Sequence, residues 1–142
     1  MNSKLVEEKA TEIAKHLAEF AQEEAKKSEH RKVESYKGVC VAMKKNESKH
    51  KYGWRALDKY LDAINEKSKK VACVNLSVLV VSTANKYKGK KMPGKNFFRR
   101  WAGIDPENGK LCYAYFIKER DRVYDVAKGD KLKVFIDQKA FF

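Results

Sequence analysis

The chain has 142 residues, with 32 basic and 19 acidic side chains that give a formal net charge of +13. This length excludes two full enzyme domains, but one domain of this size can fold without a metal ion or a disulfide. Three widely spaced cysteines without a CxxC pair argue against a disulfide framework or a zinc site. No apolar segment reaches the length of a membrane span, so we expect an intracellular, cytoplasmic protein.

Most of the excess charge lies in one window of the chain. Residues 67–104 carry ten bases and no acid, whereas residues 1–30 carry five bases and seven acids. Uncompensated bases repel one another in a folded protein, and a polyanionic partner relieves that repulsion. We therefore expect nucleic acid as the partner, with DNA favoured over RNA, and no membrane.

The first 28 residues are predicted to form an amphipathic helix. Residues 3–28 lack glycine and proline, and apolar side chains recur at the spacing of one helical face. These side chains are Val6, Ala10, Ile13, Leu17, Phe20 and Ala21. The opposite face is net acidic, so an anionic membrane would not attract it. We expect this helix to pack on the rest of the domain, or to act as a dimerisation or partner helix.

Two further helices are predicted in the middle of the chain. Residues 35–45 fit a short helix, although the same residues also fit a strand. Residues 53–66 form a clearer helix, because their apolar side chains follow steps of three and four. Arg55 and Lys59 lie one turn apart on the opposite face of this helix.

The next segments are predicted to be a strand, a loop and a helical turn. Residues 74–83 are β-branched and apolar, which predicts a buried strand. Residues 84–95 are predicted to be a long polar loop with a type II turn at Met92-Pro93-Gly94. Residues 96–101 fit a helical turn that Asn96 caps.

The C-terminal part, residues 105–142, is predicted to be an α/β element. We expect a turn at Asn108-Gly109, and residues 111–127 fit either the start of a strand or a helix. Residues 132–136 alternate between apolar and polar, which predicts a final strand. The predicted class is α+β: a single domain over residues 1–142, with a long N-terminal helix, a helix-rich core and a small sheet.

The order of segments between residues 36 and 94 resembles that of a known DNA-binding domain. Tyr36-Lys37-Gly38 opens a short helix, and a second helix begins at Trp54-Arg55. The apolar Leu79-Val80-Val81 and a turn ending in Pro93-Gly94 follow. This order resembles the winged-helix domain of the alkylguanine-DNA alkyltransferase family and its alkyltransferase-like relatives.

The resemblance implies a winged-helix-like core within the basic region, residues 33–104. It implies docking on DNA through the helix that bears Arg55, with a wing after the short strand. The reactive Pro-Cys-His-Arg of that family is absent, so the resemblance implies no alkyl transfer. The matching stretch lies near Asn75-Leu76-Ser77-Val78, which contains neither Cys nor His.

The candidate binding residues are cations, because phosphate contact needs fixed positive charge along the nucleic-acid backbone. We predict contacts from Lys51, Arg55, Lys59, Lys86, Lys88, Lys90, Lys91, Lys95, Arg99 and Arg100. Three aromatic side chains interleave with the last two of these cations: Phe97, Phe98 and Trp101. They fit either stacking on unpaired bases or burial in the core, and helical spacing favours the core.

The sequence favours a non-catalytic binding protein over an enzyme. No nucleotide-binding glycine motif and no metal-ligand spacing occurs, so no cofactor and no metal is expected. One alternative is a small basic nuclease or toxin-type ribonuclease that uses His50, with Lys51 or Tyr52 assisting. Another alternative is a phage- or plasmid-type inhibitor that binds a nucleic-acid-processing enzyme.

Overall fold

The computed structural model describes residues 3–27, 32–46 and 54–139, and within these ranges the side chains of residues 3–5, 44–46 and 54–56 are not described. The chain forms six α-helices and three strands in the described ranges. In chain order they are α1 (Ser3–Ala25), β1 (Glu34–Ser35), α2 (Tyr36–Asn46), α3 (Trp54–Ala72), β2 (Val80–Tyr87), β3 (Lys90–Met92), α4 (Lys95–Phe97), α5 (Gly109–Ala127) and α6 (Lys133–Ile136).

Helix α1 lies against three other helices and supplies one side of the core. Six of its apolar side chains have no exposed surface: Ala10, Ile13, Ala14, Leu17, Ala18 and Ala21. The helix contacts α3, α5 and α6, so its apolar face is covered by its own chain. The helix predicted over residues 3–28 is confirmed, and so is its packing on the rest of the domain. It ends at Ala25.

The two helices predicted in the middle of the chain are also confirmed. Helix α2 starts after Ser35, whose hydroxyl accepts a hydrogen bond from the backbone N–H of Gly38 at 2.8 Å and so caps the helix. Helix α3 continues to Ala72, beyond its predicted end at residue 66. Its apolar side chains Leu57 and Ile64 are fully buried.

The strand predicted over residues 74–83 is only partly correct. Leu76–Leu79 forms a turn of 3₁₀ helix, and β2 begins at Val80. Two buried side chains of α3 account for the turn. Asn65 accepts the backbone N–H of Ser77 at 3.0 Å, and Ser68 accepts that of Leu76 at 3.1 Å. These side chains bind backbone donors that a strand would direct to a neighbouring strand.

The loop predicted over residues 84–95 is wrong, because β2 and β3 form a hairpin there. Strand β2 is antiparallel to β3 and parallel to β1, so β2 is the middle strand of a three-stranded mixed sheet. The type II turn predicted at Met92-Pro93-Gly94 is also wrong. Gly94 has a φ of −64° and precedes α4, whereas a type II turn needs a positive φ at this position.

The helical turn predicted over residues 96–101 is confirmed, but its predicted cap is wrong. Helix α4 begins at Lys95 with Gly94 in the N-cap position, and no side chain caps it. The chain then passes into a short π-helical turn over Phe98–Ala102, which ends at Gly103 in left-handed backbone.

The described part of the C-terminal element contains two helices joined by turns and no strand, so the predicted α/β element is wrong in its strand. Residues 111–127 belong to helix α5, whose start is capped by the Asn108 side chain. Residues 133–136 form α6 instead of a strand. Leu132 and Phe135 are buried, and their separation of three residues places them on one face of a helix. This burial decides the structure over the apolar–polar alternation that predicted a strand. The α+β class, with its long N-terminal helix and small sheet, is confirmed.

Candidate nucleic-acid interface

The β2–β3 hairpin presents four lysines, which we call the basic hairpin: Lys86, Lys88, Lys90 and Lys91. Lys86 lies directly opposite Lys91 in the ladder, and Tyr87 lies opposite Lys90. The strands are joined by the two-residue turn Lys88-Gly89, with φ values of +50° and +79°. Positive φ at both central residues is the geometry of a type I′ turn, which matches the twist of a hairpin.

The four side chains of the basic hairpin are exposed, and none has a carboxylate partner within the described ranges. Two costs accompany this arrangement. Like charges directly opposite one another destabilise a ladder by roughly 0.2–1 kcal/mol. A side chain other than glycine in left-handed backbone costs about 1–2 kcal/mol, and here that residue is Lys88.

Two of the other predicted cations differ from the hairpin lysines, because each pairs with a carboxylate. The ammonium of Lys95 lies 2.9 Å from Glu107 Oε1. The guanidinium of Arg100 lies 3.1 Å from Asp62 Oδ2. Arg99 is exposed on the π-helical turn. After the hairpin, Lys95 and Arg100 are therefore paired with carboxylates, whereas the hairpin lysines and Arg99 have no such partner among the described residues.

Tyrosine side chains attach the basic hairpin to helix α5. The rings of Tyr87 and Tyr113 stack with centroids 5.7 Å apart. The ammonium of Lys90 lies 5.4 Å from the ring centroid of Tyr113, and that of Lys88 lies 5.4 Å from that of Tyr87. These cation–π contacts place two lysine ammonium groups against aromatic rings at the surface of the protein.

Two cations that the sequence analysis did not select lie beside the hairpin. Lys32, just before β1, and Arg120, on α5, line a groove of about 640 Å³ together with Lys90 and Lys91. Lys32 and Arg120 are far apart in sequence and outside the acid-free window. Only the docking of the hairpin between β1 and α5 brings them together, so no local signal in the sequence could have identified them.

The predicted recognition helix, α3, carries two carboxylates, Asp58 and Asp62, beside its cations. Lys59 is exposed, but Lys51 lies outside the described residues and the side chain of Arg55 outside the described side chains. Asp58 accepts a hydrogen bond from the Tyr36 hydroxyl at 2.9 Å. Asp62 accepts a hydrogen bond from the Arg100 guanidinium at 3.1 Å.

Burial perturbs the acids of this cluster. Burial raises the pKa of the Asp58 carboxyl, the Tyr36 hydrogen bond lowers it, and the nearby Asp62 carboxylate raises it again. Burial also raises the pKa of the Tyr36 hydroxyl, and the charge of Asp58 adds to the rise. Tyr36 therefore keeps its proton and donates a hydrogen bond to Asp58.

The aromatic side chains after the hairpin belong mainly to the core. Phe98 is fully buried and Phe97 is 6% exposed, so for these two the core interpretation is confirmed. Trp101 is half-buried, and its indole N–H donates to Asp62 Oδ1 at 2.7 Å. Lys69 and Arg100 both lie 5.7 Å from the centroid of the Trp101 ring.

Groups that bind metals are scattered in the described residues. Within these ranges no group of three or more His, Cys, Asp or Glu side chains is placed to hold a metal ion. His16 Nε2 lies 2.9 Å from Glu34 Oε1. The other two histidines, His30 and His50, are outside the described residues. No helix in the described ranges is both long and apolar enough to cross a membrane.

Comparison with known proteins found no relative. No protein-family model matches the chain. No curated protein matches it. No solved structure matches it.

Proposed function

We propose that this chain is a non-catalytic nucleic-acid-binding protein, with DNA as the favoured target, that contacts phosphates through its basic hairpin. One observation carries the proposal: the four hairpin lysines are exposed and have no carboxylate partner among the described residues. Elsewhere in the same region Lys95 and Arg100 each pair with a carboxylate, whereas no described carboxylate forms an ion pair with a hairpin lysine.

The energetics of the hairpin favour an external anion. The Lys86–Lys91 pair and the left-handed Lys88 each cost stability, which the contacts of Lys88 and Lys90 with tyrosine rings offset in part. A bound phosphate would neutralise the opposed ammonium groups of Lys86 and Lys91, and a second phosphate contact could come from Lys88 at the turn.

The winged-helix interpretation remains part of this proposal. The order α2, α3, β2 and β3 agrees with the order that the alkyltransferase resemblance implies, with the basic hairpin in the place of the wing. In this arrangement Arg55 and Lys59 would contact the duplex from α3, and Lys51 would do so from the segment that precedes this helix. Asp58 and Asp62 share that helix, so we expect α3 to contribute less to affinity than the hairpin.

The remaining predicted cations have a secondary role in the proposal. Lys95 and Arg100 would have to exchange a carboxylate for a phosphate, which reduces their net contribution, whereas Arg99 needs no exchange. We also propose a cytoplasmic location, since no cysteine forms a disulfide within the described ranges, which suits a reducing compartment. A dimer or a partner through α1 would need the polar face of that helix, because its apolar face is buried.

The test is a variant with all four hairpin lysines changed to glutamine, which lowers the net charge from +13 to +9. Each phosphate contact contributes about 0.9 to the slope of log affinity against log salt on B-DNA. The variant should therefore lose up to ~3.6 from that slope, and its affinity at about 0.1 M salt should fall on the order of 10³-fold.

The matched control removes four charges from a distant surface. The exposed lysines Lys26, Lys128, Lys131 and Lys133 lie near the C-terminal ends of α1 and α5 and on α6. Changing them to glutamine gives the same net charge and should leave both slope and affinity close to wild type. Equal losses in both variants would refute docking through the hairpin and would leave only a general charge effect.

A further inference from the structure

The groove beside the basic hairpin combines positive charge with aromatic surface. We call it the hairpin–helix groove; it lies between the hairpin, β1 and α5 and has a volume of about 640 Å³. Four cations line it: Lys32, Lys90, Lys91 and Arg120. Two aromatic rings line it as well, Tyr113 half-buried and Phe116 buried.

The cations and rings of the groove are in contact with one another. Lys90 lies 5.4 Å from the centroid of Tyr113, and the guanidinium carbon of Arg120 lies 6.0 Å from that of Phe116. Glu34 is the one carboxylate among the described lining residues, and His16 binds it. Arg120 also contacts Asp121 at 3.1 Å, at the outer edge of α5. The lining is therefore positive in sum and partly aromatic.

We propose that the hairpin–helix groove binds an unpaired strand of nucleic acid. Its phosphates would contact Lys32 and Arg120 beside the hairpin lysines, and a base would lie against Tyr113. This inference rests on the proposed function and adds that the protein also binds single-stranded nucleic acid. It gives binding roles to Lys32, Arg120 and Tyr113, none of which belongs to the interface predicted from the sequence.

The size of the groove favours one strand over two. Sites of roughly 300–1,000 Å³ hold single small molecules, so 640 Å³ suits a short stretch of one strand. With a duplex the protein element would enter the nucleic acid, because the major groove is about 12 Å wide and admits a two-stranded hairpin. With a single strand the nucleic acid would instead enter the groove of the protein. Proteins that bind single strands combine a positive groove with aromatic side chains, which is the combination found here.

The test compares one oligonucleotide in two forms with two double variants. The first probe is a labelled single-stranded DNA of about a dozen nucleotides, which is within the site sizes of single-strand-binding domains. The second probe is a duplex of the same sequence. The groove variant is Lys32→Gln with Arg120→Gln. The control is Lys118→Gln with Lys133→Gln, which removes the same charge. Lys118 is exposed on α5, about 200° around the helix from Arg120.

The groove variant should bind the single strand more weakly and the duplex almost normally. Each contact to a single strand contributes about 0.7 to the salt slope, or about fivefold in affinity at 0.1 M salt. Two full contacts correspond to about a 25-fold loss, and because Arg120 must first leave Asp121 we expect a loss between about fivefold and 25-fold on the single strand and less than about a twofold change on the duplex. The control should change neither, and Arg120→Lys, which keeps the charge, should restore most of the binding.

Three results would overturn the inference. They are an unchanged single-strand affinity, an equal loss on the duplex, and competition by a mononucleotide as strong as that by the strand. If Arg120→Gln unfolds the protein, Lys32→Gln alone at its exposed position still predicts a fivefold loss. A 4-thiothymidine photo-crosslink should map to the peptide that contains Tyr113, and crosslinks confined to α3 would contradict the inference.

The hairpin variant separates the two proposals. If the four-lysine change leaves both probes bound as in wild type, the proposed function fails, and the groove inference fails with it. If the hairpin variant loses affinity while the groove variant retains it on both probes, only the inference about the groove fails.

Discussion

Lys88 gives a prediction in which stability and binding change in opposite directions. Its backbone is left-handed at the first position of the hairpin turn, with a φ of +50°. Asparagine tolerates this conformation far better than lysine, and Asn-Gly is a preferred type I′ pair. Lys88→Asn should recover about 1 kcal/mol of backbone cost and lose about 0.5 kcal/mol from the contact with Tyr87.

The net gain of about 0.5 kcal/mol corresponds to a rise in Tm of about 2 °C for a chain of this length. Removal of one phosphate contact should lower the salt slope on duplex DNA by about 0.9 and the affinity about eightfold at 0.1 M salt. Thermal melting and a fluorescence titration measure the two effects on the same preparation.

Lys88→Ala is the matched control for this experiment. It removes the same charge but leaves a side chain with the same backbone cost, so it should weaken binding equally without raising the Tm. If Lys88→Asn lowers the Tm, the turn is not strained at this position. If it raises the Tm but binds as tightly as wild type, Lys88 does not contact phosphate.

Two further predictions concern the cluster beside α3. Asp62→Asn should raise the affinity for DNA severalfold, because it removes a negative charge and releases Arg100 to contact phosphate. A salt titration should then show a slope of log affinity against log salt that is steeper by up to ~0.9. An unchanged slope would mean that Arg100 does not reach the nucleic acid. Above pH 10 the wild-type free energy of unfolding should fall as pH rises, because burial lets folded Tyr36 keep a proton that the unfolded chain releases. Urea titrations of Tyr36→Phe should show a shallower decline, and a decline equal to that of wild type would refute this assignment.

The helices could be predicted from the sequence because each carries its own periodic apolar face. In α1 the apolar side chains form one stripe, and in α3 Leu57, Leu61 and Ile64 follow helical spacing. Both patterns are visible in the local sequence, and these side chains are buried in the core. The errors arise where distant residues decide the backbone. Asn65 and Ser68, on α3, bind the 3₁₀ turn and delay the start of β2, and nothing within residues 74–83 indicates this.

The hairpin was missed for a different physical reason. A strand pattern relies on alternation between apolar and polar side chains. The Lys86–Lys91 pair and Lys90 place lysines on both faces of the hairpin and so remove that alternation. The Lys88-Gly89 turn also lacks the usual Asn or Asp, so the turn signal fell on Pro93-Gly94 instead.

The interface could be predicted as a charged region but not as a set of contacts. The acid-free window identified the hairpin lysines. It could not separate them from Lys95, whose partner Glu107 lies beyond the window, or from Arg100, whose partner Asp62 lies before it. Lys32 and Arg120 lie outside the window and meet the hairpin only in the folded chain.

The most direct test of the central claim is the binding of the wild-type protein to labelled duplex DNA, single-stranded DNA and duplex RNA across a salt series, with cleavage scored in the same tubes. We expect binding to DNA near physiological salt, no cleavage, and a duplex slope of at least ~3.6 from four hairpin contacts. No binding near physiological salt would contradict a nucleic-acid function. Cleavage would contradict a non-catalytic one and would favour the ribonuclease alternative based on His50.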